Sequence, residues 1–252
     1  MTPSFTAKSP NLSNSYEHTK ATLDALIQES MARKALEDAF YWMTECTKTK
    51  DEQNQLDPYK PFPKKRYLLE CLKVLLDPNE PTVYTYKSRT MMMSWCVSAA
   101  AAWTAFTHPA TKVVIQSQDH DRALHDVQNC KILWENSIPR LRERWPLPKP
   151  LKDQPYERFR LSNGSEIVGI PGDPRKIKSE HPTIYIQDES AIIEQGEESL
   201  NEAIAARCLK IWCVSSAFPG WFADLFESSL PARWPDYPMS EIGKHCNLSE
   251  LE

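Results

Sequence analysis

Two stretches of the chain carry residues suited to phosphate chemistry, "YTYKSRTMMMSW" at 84–95 and "TIYIQDES" at 183–190. The second ends a β-rich run on adjacent acids, Asp188 and Glu189, which places two carboxylates at the carboxyl edge of a strand, where parallel sheets bind ligands. In nucleotide hydrolases such a pair divides the work: the first acid holds Mg²⁺ and the second polarises the attacking water. A strand end with two solvated acids is the plainer reading of the dipeptide alone. The first stretch lies where a strand runs into a helix, and it contains no glycine.

Set against the phosphate-loop pattern GxxxxGK[ST], with Ser94 on the final hydroxyl, Lys87 falls on the first glycine, Met92 on the second and Met93 on the lysine. The chemistry needs backbone N–H groups at a helix N-terminus, a cation for the β and γ oxygens, and a hydroxyl for Mg²⁺. Lys87 and Arg89 can supply the cation from the front of the loop, and Ser94 the hydroxyl. The segment Lys87, Ser88, Arg89, Thr90, Met91, Met92, Met93, Ser94 and Trp95 is therefore the candidate nucleotide-binding loop. A basic surface turn before a Met-rich core helix would share these residue types. The first glycine in the chain is Gly164, so the loop has to use backbone conformations open to ordinary side chains.

Lys87 and Asp188 lie 101 positions apart, with room for the strand at 111–117 between their strands. After the acids, "IWCVSSAFPG" gives another apolar run ending in Ser215, Ser216 and Ala217. Small hydroxyl residues there can sense a γ-phosphate and pass its loss to the next helix; an ordinary strand-to-loop junction has the same composition.

The elements that must position these residues follow from periodicity. Residues 1–16 are polar and Ser/Pro/Asn-rich and read as a disordered lead-in, and 17–80 as a helical segment with two helices, or one kinked helix, up to about Thr47. From 81 to 235 strands alternate with helices: strands at 81–86, 111–117, 182–189 and 209–216, and helices at 94–106, 119–137, near 197–207 and from Gly220. Asn163-Gly164 marks a hairpin. This alternation predicts an α/β fold with a mostly parallel sheet flanked by helices and an N-terminal helical segment, with 236–252 as a tail.

Composition agrees with a chain of globular type. Of 252 residues, 41% are apolar and 25% charged, and the longest small-apolar run, Ser98 to Phe106, is too short to cross a bilayer. Neither a membrane span nor a secretory leader is expected. The seven cysteines show no CxxC pair, which speaks against zinc and against a disulfide framework. A net charge of −4 neither demands nor excludes nucleic acid.

In order and spacing, "PFPKKRYLLECL", "KSRTMMMSW", "VVIQSQDHDRA", "FRLSNGSEIVGIPGDPRKIKSEHPTIYIQDESA" and "CVSSAFP" together resemble the ATPase domain of phage large terminases, over about Phe40 to Phe226. That resemblance implies a P-loop NTPase of the additional-strand, catalytic-glutamate class. It implies that Lys87 and Arg89 contact phosphates, Ser94 and Asp188 hold Mg²⁺, Glu189 activates water and Ser215, Ser216 and Ala217 form the coupling motif. It also implies ATP and Mg²⁺ as ligands, and dsDNA, a small terminase subunit, a portal protein and a homo-oligomeric ring as partners, in the cytoplasm of an infected host cell. The chain departs from the family twice. Lys64, Lys65 and Arg66 stand where many relatives have an adenine-reading glutamine. Lys178, with Arg175 close by, stands where relatives carry an arginine finger that reaches a neighbouring subunit. A solvated basic loop and a DNA contact are the other readings of Arg175, Lys176 and Lys178. The chain ends at Glu252, before any family-type nuclease domain, which predicts an isolated motor domain or a nuclease on a separate chain. A helicase-like ATPase and a non-hydrolysing nucleotide- or DNA-binding scaffold are the competing functional readings.

Overall fold

The computed structural model describes residues 12–51, 54, 56–88 and 91–233. Residues 1–11 and 234–252, and with them most of the expected lead-in and the tail at 236–252, lie outside the described residues, as do Arg89 and Thr90.

Helix α1 (Leu12–Glu37) begins inside the stretch expected to be lead-in. At Asp38 the chain leaves helical geometry, and the Asp38 carboxylate accepts from the Tyr41 N–H to start the short α2 (Ala39–Tyr41), which continues as one π-helical turn through Cys46. The expected kink is therefore a capped break. A small antiparallel ladder, β1 (Thr49–Lys50) with β2 (Tyr59–Lys60), leads to α3 (Arg66–Leu76).

The main body follows as β3 (Thr82–Lys87), α4 (Met93–Thr107), β4 (Lys112–Gln116), α5 (His120–Glu135), α6 (Pro139–Arg144), β5 (Arg158–Arg160), β6 (Glu166–Ile170), α7 (Arg175–Glu180), β7 (Ile184–Asp188), α8 (Gly196–Ala205), β8 (Lys210–Ser216) and α9 (Trp221–Arg233). Six strands form one sheet in the order β3-β8-β7-β4-β6-β5, parallel except for the β5–β6 hairpin. The hairpin turns at Asn163-Gly164 as expected, with Gly164 at φ +84°.

Order in the sheet differs from order in the sequence. The strand lying between those of Lys87 and Asp188 is β8, and β4, the strand at 111–117, lies on the far side of β7. Sequence order says when a strand is made, whereas its neighbours are set by how right-handed crossovers return the chain to the sheet.

Both faces of the sheet are buried, so its strands read as apolar runs. Val83, Val113, Ile115, Ile186, Trp212 and Val214 face the larger core, which also takes in Trp42, Leu68 and Ala100. The helical segment thus shares one core with the sheet. Val114, Val168, Tyr185, Ile211 and Cys213 face a second cluster closed by Phe222 of α9. Gly169 lets α5 sit hard against β6, since a Cβ there would lie 2.6 Å from the Ala123 carbonyl oxygen. The antiparallel edge strand carries Arg158 and Arg160, paired with Glu166 and Glu180, a charged edge that discourages further strand addition.

Candidate active site

Four chain segments meet at the carboxyl edge of the sheet. β3 delivers Lys87, whose register partner on β8 is Ser216. On the other side of β8, Asp188 of β7 pairs with Val214, so Ser215 and Ser216 reach past the acid pair. The Lys87 ammonium meets Glu189 Oε1 at 2.5 Å, with side-chain exposures of 9% and 21%. The Ser216 backbone N–H donates to the other Glu189 oxygen at 3.2 Å. The Ser94 hydroxyl, in the first turn of α4, donates to Asp188 Oδ2 at 3.0 Å. Lys87, Ser94, Asp188, Glu189 and Ser216 are thus one cluster. Ser215 is buried, and its hydroxyl accepts from the Ala191 N–H at 3.1 Å, tying β8 to the turn after Glu189. Ala217 is exposed just beyond the strand.

The loop does without glycine by placing Met92 at φ +52°, in the left-handed region, as the residue before α4. Met92 is the position aligned with the second glycine of the phosphate-loop pattern. A non-glycine residue in such a conformation costs about 1–3 kcal/mol and persists where packing over-determines it. Here Met91 and Met93 are buried in the core, and the Tyr67 hydroxyl donates to the Met91 carbonyl at 3.3 Å. Trp95 packs edge-on against Phe62 at 6.3 Å, and Ser88 is exposed. Among the described residues of the loop, the side chains of Met91, Met93 and Trp95 therefore pack inward and hold it. Glu189 is the second left-handed residue of the site, at φ +56°.

The electrostatics separate the two acids. Burial pushes the Glu189 carboxyl up, but the hydrogen bond and charge of Lys87, with the Ser216 N–H, outweigh it and hold Glu189 below the usual carboxylate range. Burial raises Asp188 and the neighbouring Glu189 adds to it, against the opposing pull of Lys87 and the Ser94 hydrogen bond. Asp188 Oδ1 is buried with no hydrogen-bond partner. A buried anionic oxygen beside a serine hydroxyl fits a hard divalent cation, which takes oxygen ligands and keeps several waters. Ser94 and Asp188 are the residues that would hold Mg²⁺.

Beneath the acids, Gln187 donates to the Gly196 carbonyl at 2.9 Å, Tyr185 donates to the Gln116 amide oxygen, and Gln116 donates to the Pro171 carbonyl at 3.1 Å. This network accounts for the polar residues inside two central strands. Arg175 and Lys178 stay outside the cluster. Arg175 pairs with Asp173 at 3.0 Å and is 91% exposed, and Lys178 pairs with Glu202 at 2.9 Å and is 67% exposed.

Periodicity passed over one residue. Asp126 shares the inner face of α5 with Ala123, Val127 and Cys130 and is 5% exposed. Its signal in the sequence is a carboxylate at a core position of an amphipathic helix.

No family model and no curated protein matches the chain. Among solved structures it is similar to the ATPase domain of the Thermus phage P74-26 large terminase, at 17% identity and a TM-score of 0.40, over 57% of this chain. A mutant of the same domain gives 18% identity and a TM-score of 0.41 over the same share. The alignment reaches 63% of the neighbour's chain, just under two thirds of its length. That likeness carries no residue roles over to Lys87, Ser94, Asp188 or Glu189.

Proposed function

We propose that this chain is an ATP-hydrolysing motor domain of the large-terminase kind, which drives translocation of dsDNA into a procapsid. The observation that carries the reading is the convergence of Lys87, Ser94, Asp188, Glu189 and the Ser216 N–H, from four separate segments, on one edge of a parallel sheet. The order of the sequence motifs supports it as well.

Lys87 holds two exclusive roles. While it is paired with Glu189 it both masks the carboxylate and lowers its basicity. Phosphate oxygens offered at the α4 N-terminus compete for the same ammonium. Once Lys87 turns to them, Glu189 loses its counter-charge, becomes more basic and takes a proton from the attacking water. When bound, Mg²⁺ neutralises charge on the β and γ oxygens. The Ser216 N–H contacts the working carboxylate, so a change at Glu189 is felt at the start of the loop into α9. Arg175 and Lys178, exposed on α7, are the groups we assign to a neighbouring subunit's nucleotide. The small terminase subunit, a portal protein and a ring of like subunits are the partners this function requires, and the infected cell's cytoplasm is its setting. No helix among the described residues is long and apolar enough to cross a membrane.

ATP turnover of the parent, Lys87→Ala and Glu189→Gln, with and without duplex DNA, tests the reading. Loss of the water-activating carboxylate should lower turnover about 10²-fold or more. Equal turnover in Glu189→Gln and the parent would refute it. Processive strand unwinding in place of duplex translocation would move the chain to the helicases.

A further inference from the structure

We infer that Asp126 is a positioning residue of the divalent-metal site, its carboxylate accepting a hydrogen bond from a water on the Mg²⁺ that Ser94 and Asp188 hold. The inference rests on the reading of that cluster as a nucleotide-hydrolysing site and adds to it a residue and a helix, α5.

The geometry places Asp126 beside that site. Ser117 follows Gln116, which is in register with Gln187 on β7, so Ser117 stands next to Asp188 at the carboxyl edge of the sheet. The Ser117 hydroxyl donates to Asp126 Oδ2 at 3.0 Å and so aims the carboxylate from α5 toward that edge. An ionised carboxylate has about four acceptor positions, and one serine hydroxyl fills only one of them. At the end of β7, the buried Oδ1 of Asp188 has no hydrogen-bond partner.

Charge points the same way. The charged groups acting on Asp126 are Asp188 and Glu189, which repel it, and Lys87, which attracts it. Burial and Asp188 together hold Asp126 well above the usual carboxylate range, which makes its charged form costly until a cation is supplied. Among the described residues no three acidic, histidine or cysteine side chains are grouped closely enough to grip one ion directly. Contact through metal-bound water meets both conditions, since Mg²⁺ gives up its waters reluctantly.

The test uses Mn²⁺ as the probe, with a non-hydrolysable ATP analogue held constant and free Mn²⁺ read by electron paramagnetic resonance. Partners that act on a metal through its ligands typically set affinity by about 10–100-fold. Asp126→Asn keeps the shape of the side chain and an oxygen for Ser117, and is expected to weaken Mn²⁺ binding about 10-fold. Ser117→Ala keeps the charge but releases its aim, and is expected to weaken binding by a smaller factor, about threefold. Asp188→Asn, run alongside, tests the site itself. Weak binding in Asp188→Asn with parental binding in Asp126→Asn would overturn the inference and leave the site standing. Parental binding in Asp188→Asn would overturn both. Should Asp126→Asn fail to fold, parental binding in Ser117→Ala overturns the inference.

Discussion

The Lys87–Glu189 pair predicts a measurable conflict between stability and turnover. Glu189→Gln removes the counter-charge from an ammonium only 9% exposed, and Lys87→Met strands a carboxylate that is 21% exposed. Breaking a fully buried pair costs about 3–5 kcal/mol. Glu189 keeps a fifth of its exposure and the Ser216 N–H, and Asp188 stays near Lys87, so each single change should cost about 1–3 kcal/mol. Removing both charges leaves neither partner of the pair stranded, so the double variant should be no worse than the poorer single, a coupling of about 1–2 kcal/mol. Urea unfolding of the four proteins measures this, supported by melting shifts of about 2–4 °C per kcal/mol for a chain of this size. The pH dependence carries a sign. Glu189 is held below its unfolded value, so its stabilisation is complete above the ordinary carboxylate range and is lost as pH falls through the lowered native value. Glu189→Gln should lack that part of the acid limb. Additive single changes, within about 0.5 kcal/mol, together with an unchanged acid limb, would refute the coupling.

Other predictions follow from backbone and burial. At Met92, φ +52° reverses the usual helix-end ranking, so Met92→Gly should be more stable than Met92→Ala by about 0.5–1 kcal/mol in denaturant titrations; equal or opposite stabilities would mean the backbone is not held there. Gly169→Ala drives a methyl to 2.6 Å from the Ala123 carbonyl oxygen and should cost about 1–3 kcal/mol, read as a lowered unfolding midpoint. Burial pushes the Cys46 thiol up to about 11 and Cys213 up to about 12. Both should resist an aromatic disulfide reagent at about pH 8 in the native protein and react fully in urea, with peptide mapping to assign the label; native labelling of Cys213 would contradict its place in the sheet.

Much of the scaffold was legible because both faces of the sheet are covered. Runs such as Val113-Val114-Ile115 and Ile211 to Val214 stand out against polar flanks, and the acid pair and Lys87 were readable as strand ends. What failed to show has specific causes. The neighbours of β8 depend on crossovers that periodicity does not encode. Met92 takes a conformation that residue type argues against, enforced by the burial of Met91 and Met93 on either side. Asp126 was hidden by reading helix α5 for its apolar spacing, when the informative residue was the one that broke it. The start of α1 at Leu12 lies in a stretch whose Ser and Asn content favours turns locally, which a helix carried onward by packing can override.

The left-handed turn at Met92 has a consequence for how such proteins diverge. A loop built on glycine is tied to one residue type, because replacement forfeits the conformation. Here the conformation is held from both sides by the buried neighbours Met91 and Met93, so a residue other than glycine can stand at 92 while the path of the chain is retained. Selection then falls on the volumes at 91 and 93, ordinary core positions that accept many apolar replacements of similar size. Descendants of one ancestor can lose every recognisable letter of the loop while their backbones still superimpose, and kinship among them would be found by tracing φ angles and buried volumes.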